Sequence, residues 1–308
     1  MLTRNALLLL ARQSWLRGWV ERSRLIRPLV RRFIAGSTLE DALKVCAKLN
    51  NEGISASLDH LGENVATLQD ARGSVEAGLE AIEEIQRRKI RATLSIKLTQ
   101  FGLDLSEHQC RSNVSTLVER GRSADLQVEV DMESSVYTDR TLAIVRDLAD
   151  QYGNVRAVLQ AYLYRTEKDL EGLCDRGIPV RLCKGAYLEP PEAAFPEKAQ
   201  MDENYLRLMR RMLERTLERS SDPAFATHDA SMIRDVSEYA RKIGVGVDRF
   251  EFQMLYGIAR DLQRSLVREG YRLRLYVPYG VAWYPYFMRR LAERPANVWF
   301  LARNLAGN

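Results

Sequence analysis

A lysine inside an apolar strand is costly unless it is paired, and Lys97 closes such a run at residues 92–98. Asp131 ends the next apolar run, 126–132, and is its natural partner. Three readings of Lys97 stand together: a structural ion pair with Asp131, a Schiff-base lysine, or a fixed cation for an anionic substrate. The segment Arg181-Leu182-Cys183-Lys184-Gly185-Ala186-Tyr187 sets two cations around a strand end, followed by small residues that let backbone approach a ligand. That suits a phosphate or a polarised heterocycle. Arg289 and Arg290 follow Tyr284 and Tyr286 in a helical stretch. Adjacent helical residues point about 100° apart, so both arginines reach one site only if it lies over the helix end. They read either as a solvated charge pair or as a grip on a carboxylate.

These residues need elements to hold them. Strand-like runs at 54–58, 92–98, 126–132, 155–163, 180–183, 224–227, 250–255 and 273–278 alternate with helical stretches near 72–89, 107–120, 138–151, 167–176, 201–219, 230–242, 259–268 and 284–293. A further helix starts at Ser37-Thr38 and runs to about Asn50. Eight strand–helix units require parallel pairing, which predicts an α/β fold of the (β/α)8 TIM-barrel type rather than a doubly wound sheet. No Gly-x-Gly-x-x-Gly follows the first run, and no P-loop occurs. In a barrel the chemistry sits at the C-terminal strand ends. There the sequence offers Asp59, His60 and Glu63; Ser95 and Lys97; Glu129, Asp131, Met132 and Glu133; Gln160; Arg181; Thr227, His228 and Asp229; Glu251 and Gln253; and Tyr276.

The composition narrows the function. With 46 Lys+Arg, 41 Asp+Glu and 46% hydrophobic residues among 308, the chain is an ordinary globular one. Its net +5 is uneven: residues 1–36 carry +7 and the remainder −2. A near-neutral body argues against nucleic acid as a partner. Four scattered cysteines without a Cys-x-x-Cys pair, and three histidines, are poor material for a metal site or a disulfide framework. Residues 1–36 read as a basic amphipathic helical arm broken near Pro28, with residues 37–308 as one catalytic barrel. The arm can pack on its own body or a second subunit, or meet an anionic membrane surface; it also has the composition of a transit peptide.

The segments 181–187, Ala226-Thr227-His228-Asp229, 275–280 and 286–293, with Ser95-Ile96-Lys97-Leu98 and 158–165, together resemble the flavin-dependent proline dehydrogenases of the monofunctional bacterial branch. The resemblance runs from about residue 53 to 304. It implies a distorted (β/α)8 barrel that binds FAD and oxidises L-proline to Δ1-pyrroline-5-carboxylate by hydride transfer to flavin N5, passing electrons to a membrane quinone. Hydroxyproline or another cyclic amine is the alternative substrate, and a non-catalytic module binding a membrane or partner is the alternative class. By position, Lys97, Arg289 and Arg290 would hold the proline carboxylate. Glu63 would pair with Arg289 as a gate, and Asp131 would order Lys97. Leu182, Tyr187, Tyr276 and Tyr286 would pack the pyrrolidine ring, with Arg181 near N5. Met132, Gln160, Lys184, Gly185, Ala186, Thr227 and His228 would line the FAD. Asp229 stands where relatives often carry Asn. Tyr276 occupies the position whose loss is associated with tolerance of hydroxyproline. The implied location is the bacterial cytoplasm, free or peripheral on the inner membrane.

Overall fold

The computed structural model describes residues 27–218 and 221–293. The first 26 residues of the arm, and the C-terminal end of the resemblance, lie outside the described residues. In chain order the elements are α1 (Arg27–Phe33), α2 (Leu39–Asn51), β1 (Ser55–His60), α3 (Leu68–Arg87), β2 (Ala92–Ile96), α4 (Glu107–Ser123), β3 (Val128–Val130), α5 (Thr138–Tyr152), β4 (Val155–Gln160), α6 (Thr166–Cys174), β5 (Val180–Cys183), α7 (Lys198–Glu218), β6 (Ala224–Ala226), α8 (Ala230–Ile243), β7 (Glu251–Leu255), α9 (Arg260–Arg268), β8 (Arg272–Tyr279) and α10 (Tyr284–Glu293). All eight strands pair in parallel, and β8 closes on β1, so the expected (β/α)8 barrel is what forms.

Helix starts follow local chemistry. Thr38 and Thr67 each accept the backbone N–H three residues on, from Asp41 and Asp70, whose carboxylates reach back in capping boxes. The Thr67 box starts α3 four residues earlier than the apolar periodicity suggests. Short 3-10 turns form at Leu98–Phe101, which takes Leu98 from the strand-like run 92–98, and at Ser135–Tyr137, between predicted elements.

Strand alternation divides the side chains into two sets. Leu58, Leu94, Val128, Leu159, Leu182, Phe252 and Leu275 face outward into the apolar layer under the helices. The opposite faces put Ser57, Ser95, Glu129, Arg156, Arg181, Glu251, Gln253 and Arg274 inside the barrel. Glu129 accepts from Arg181 (2.5 Å), Ser57 (3.0 Å), Arg156 (3.1 Å) and Gln253 (3.2 Å). Glu251 holds Arg156 (2.6 Å) and Arg274 (2.9 Å). Glu251 thus begins β7 at the lower end of the barrel, away from the strand ends where the sequence reading placed it. A one-residue slip of any strand would turn these charges into the apolar layer, so the ionic interior pins the register.

The barrel is distorted at its closure. α2 packs on the outer wall against β1 and β8, the place where the helix after β8 would lie in a regular barrel. α10 instead forms a second apolar cluster: Tyr284, Phe287 and Met288 with Phe33, Ile34, Leu61 and Ile258. The segment after α1 is tied to the same end of the barrel by Ala35 N–H to Pro278 O (2.9 Å) and Gly280 N–H to Gly36 O (3.0 Å). Gly257 permits α1 to cross there, since its φ is +80° and a Cβ would overlap the Arg32 backbone. The described end of the arm is therefore packed on its own barrel. Among the described residues no helix is long and apolar enough to cross a membrane.

Candidate active site

The C-terminal ends of β1, β2, β3 and β8 bring Asp59, Lys97, Asp131 and Tyr276 together. Each side chain is inward because it sits two residues beyond an inward neighbour. Lys97 Nζ donates to Asp59 (3.1 Å) and to the Tyr276 hydroxyl (3.0 Å), and lies 3.2 Å from Asp131. The Tyr276 hydroxyl in turn donates to Asp131 (2.7 Å). Asp131 also receives Ser95 (2.9 Å) and a very short contact from Arg181. Asp131 is therefore shared between two cations, and Asp59 is the second partner of Lys97. The sequence shows Asp59 at a strand end but gives no sign of that role.

The electrostatics follow from this crowding. Burial opposes charge on Lys97, but Asp59, Tyr276, Asp131 and Glu63 hold its pKa well above the usual value. Burial also pushes Asp131 up, and Arg181 and Lys97 outweigh it, leaving the carboxyl below its usual range. Asp59 goes the other way: burial, with Asp131 adding to it, keeps its pKa raised despite Lys97. One Asp59 oxygen is buried with no hydrogen-bond partner. Tyr276 is raised well above its ordinary pKa by burial and by Asp131, so it stays a neutral donor.

Above this floor, α10 delivers Arg289 to Glu63 in a two-pronged pair (2.7 and 3.2 Å). Glu63 also lies 3.9 Å from Lys97, so it bridges the two cations. Burial pushes the Glu63 carboxyl up, yet Arg289 and Lys97 hold it below the usual range. Tyr187 borders this group: burial raises its pKa, and Glu63, Arg289 and Lys97 all act on it. Arg290 diverges from Arg289, with its guanidinium 5.2 Å from the Tyr286 ring centre. Tyr286 itself is buried in the α10 cluster.

Leu182 needs correction. It alternates with Arg181, is fully buried beneath the helices, and faces away from the interior, so it cannot pack a ring held at the mouth. The other side of the mouth, at β4–β7, is built differently. Cys183 to Tyr187, Ala226, His228 and Leu255 are half-exposed above otherwise buried strands. Gln160 accepts the Ala186 N–H (3.3 Å) and donates to the Glu133 carbonyl (2.8 Å). Gly185 lies so close to the Tyr162 ring that a Cβ would overlap it. Lys184 reaches Asp202 (2.9 Å) and Asp229 (3.4 Å). Asp229 caps α8 through Ser231 (2.6 Å to the hydroxyl); that bond and Lys184 outweigh burial and leave its pKa at about 2. The Asp229 N–H donates to Thr227 Oγ1 (3.1 Å), and His228 Nε2 accepts the Leu255 N–H (2.8 Å). Met132, next to Asp131, is buried. Among the described residues no group of side chains could hold a metal.

The comparisons with known proteins agree with this arrangement. A family profile described as proline dehydrogenase matches residues 42–303. Proline dehydrogenase 2 of Bacillus subtilis (strain 168) is 39% identical over 309 residues, covering 99% of each chain. Proline dehydrogenase of Deinococcus radiodurans is 38% identical over 282 residues, 90% of each chain. Among solved structures, proline utilization A (PutA) from Bdellovibrio bacteriovorus, inactivated by N-propargylglycine, superposes with a TM-score of 0.81 at 25% identity. That match covers 87% of this chain and 33% of the longer protein. With the barrel, the paired cations at its mouth and a family match over most of the sequence, this chain belongs to the proline dehydrogenase family.

Proposed function

We propose that this enzyme oxidises L-proline to Δ1-pyrroline-5-carboxylate with FAD and hands the electrons to a membrane quinone. The observation that carries the reading is the convergence of Lys97 and Arg289 on Glu63, directly above the Asp131–Tyr276 pair. A small amino-acid carboxylate exchanging for the Glu63 carboxylate meets two fixed cations there. Arg290, the adjacent residue of α10, lies over the Tyr286 ring and would reach the carboxylate only by turning toward it. Tyr276 and Tyr187 border the space that a five-membered ring would take. The Tyr276 hydroxyl is held by Lys97 and Asp131, which leaves little room for an added hydroxyl on the substrate.

A flat heterocycle would be held along β4–β7. It would lie against backbone, the bare Cα of Gly185 and the short side chains of Cys183, Ala186 and Ala226, all half-exposed, with Arg181 as a buried cation beside it. Met132, Gln160, Lys184, Thr227 and His228 would border such a group. Bound there, FAD supplies the acceptor for two electrons. The protein orients the ring, excludes water beneath α10, and keeps Arg181 charged through Asp131 and Glu129 where negative charge would develop. Lys97, charged at all working pH values, fixes the carboxylate and leaves the amine as the group that must lose its proton.

We place the enzyme in the bacterial cytoplasm, with the basic residues preceding α1 as the candidate contact to a membrane surface. Turnover with an artificial electron acceptor tests the substrate: L-proline is expected to give a kcat/KM at least about tenfold above that of hydroxyproline. Equal or inverted preference would contradict the role assigned to Tyr276.

A further inference from the structure

One chain of hydrogen bonds runs around the rim of the barrel through successive strand ends. It starts at the Ala186 N–H, passes through the Gln160 side chain to the Glu133 carbonyl, and continues from the Glu133 carboxylate to Thr99. Thr99 donates its N–H (3.1 Å) and its hydroxyl (2.6 Å) to Glu133, and its oxygen accepts the Asn64 N–H (3.3 Å). Asn64 has φ +57°, a left-handed state that few non-glycine residues adopt, asparagine more readily than most, and the Thr99 bond ties it there. The next residue back is Glu63, whose carboxylate holds Arg289. Glu133 and Thr99 are both buried, and neither belongs to the substrate or flavin sets described above.

We propose that Glu133 is a positioning residue for the Glu63–Arg289 gate: through Thr99 it fixes the backbone at Asn64, and through Gln160 it ties that gate to the loop at Ala186. The inference rests on the reading that Arg289 meets the substrate carboxylate. Glu133 acts through other groups and touches neither substrate nor flavin.

The strut has a built-in pH dependence. Burial pushes the Glu133 carboxyl up to about 7, against the Thr99 hydrogen bonds and Lys97, with Glu63 adding to the rise. Cys110, Tyr137 and Tyr187 are the other titratable groups that feel it. Above that value the carboxylate accepts both Thr99 donors. Below it the added proton points at Thr99 Oγ1, the direction of that bond reverses, and the oxygen that holds Asn64 is now shared.

The test is the pH profile of kcat and KM for L-proline in the holoenzyme. Because the substrate amine must lose a proton in every variant, the readout is the ratio of Glu133→Gln KM to wild-type KM, expected to be about fivefold above pH 7 and to fall toward one below it, with the kcat ratio within about twofold. Glu133→Gln mimics the protonated acid, so its KM should be raised at high pH and lose the wild-type transition. Thr99→Val should behave alike, and Thr99→Ser, which keeps the hydroxyl, should restore the wild-type profile. Unchanged circular dichroism and melting confirm that each variant is folded. If Arg289→Met raises KM but Glu133→Gln keeps the wild-type KM and its pH transition, the strut is overturned while the carboxylate reading stands. If Arg289→Met leaves KM unchanged, the carboxylate reading falls and the proposal falls with it.

Discussion

Replacing Arg289 by Met is expected to raise KM for L-proline about 100-fold and to leave flavin content near that of the wild-type enzyme. Met keeps the apolar stem of the side chain, and the packing of α10 on Phe33 and Ile34 is made by Tyr284, Phe287 and Met288, so it is preserved. What is lost is a two-pronged guanidinium, the group best matched to a carboxylate. Among the described residues, Glu63 then keeps Lys97, at 3.9 Å, as its cationic neighbour. Substrate must therefore bind with one cation fewer, beside a carboxylate that competes for the other. The place proposed for the flavin lies across the mouth at β4–β7, away from Arg289, so cofactor retention separates a local defect from unfolding. Steady-state kinetics with flavin quantified on the same preparation decide the matter. An unchanged KM would remove Arg289 from the substrate site.

The second large effect concerns stability. Glu129→Ala is expected to cost about 3–5 kcal/mol, which for a domain of this size is a fall of about 10 °C in melting temperature. Glu129 is fully buried and neutralises Arg156 and Arg181 at once. Its removal leaves two buried guanidinium groups short of an acceptor, with Ser57 and Gln253 losing partners as well. Arg181 also loses one of its two carboxylates, so activity should fall even where the protein remains folded. A melting temperature within about 2 °C of wild type would show that the ionic interior contributes little.

Much of the barrel is legible in the sequence because its outward strand faces are apolar. Leu58, Leu94, Val128 and Leu275 mark strands, and the helices between them carry amphipathic patterns. The interior network is harder to read. In β8 the order Arg272-Leu273-Arg274-Leu275-Tyr276 alternates polar and apolar residues as a sheet with one face in water would. Only closure of the barrel turns that polar face into a dry interior, and closure is a property of all eight strands together. The same gap hides Asp59 as a partner of Lys97, since the pair spans 38 positions in sequence.

The motifs at the barrel mouth name most of the neighbours there: Lys97, Asp131, Arg181 and Tyr276 form one network, and Glu63 meets Arg289. Leu182 fails for a simple reason. It sits inside the motif that carries Arg181, and adjacent strand residues face opposite ways. The position of α10 is also invisible in its own sequence. Tyr284, Phe287 and Met288 would serve an outer-wall helix equally well, and only their contacts with Phe33, Ile34 and Leu61 place them over the mouth. Arg289 owes its place at the site to that displacement.

The central claim is that proline bound under Arg289 and Lys97 gives its electrons to a flavin held along β4–β7. The most direct measurement is the absorbance spectrum of the purified protein under anaerobic conditions, before and after L-proline is added. An oxidised flavin spectrum that bleaches on addition of L-proline and returns with an electron acceptor is expected. Colourless protein from a flavin-replete host, or a flavin band that L-proline leaves unchanged, would contradict it.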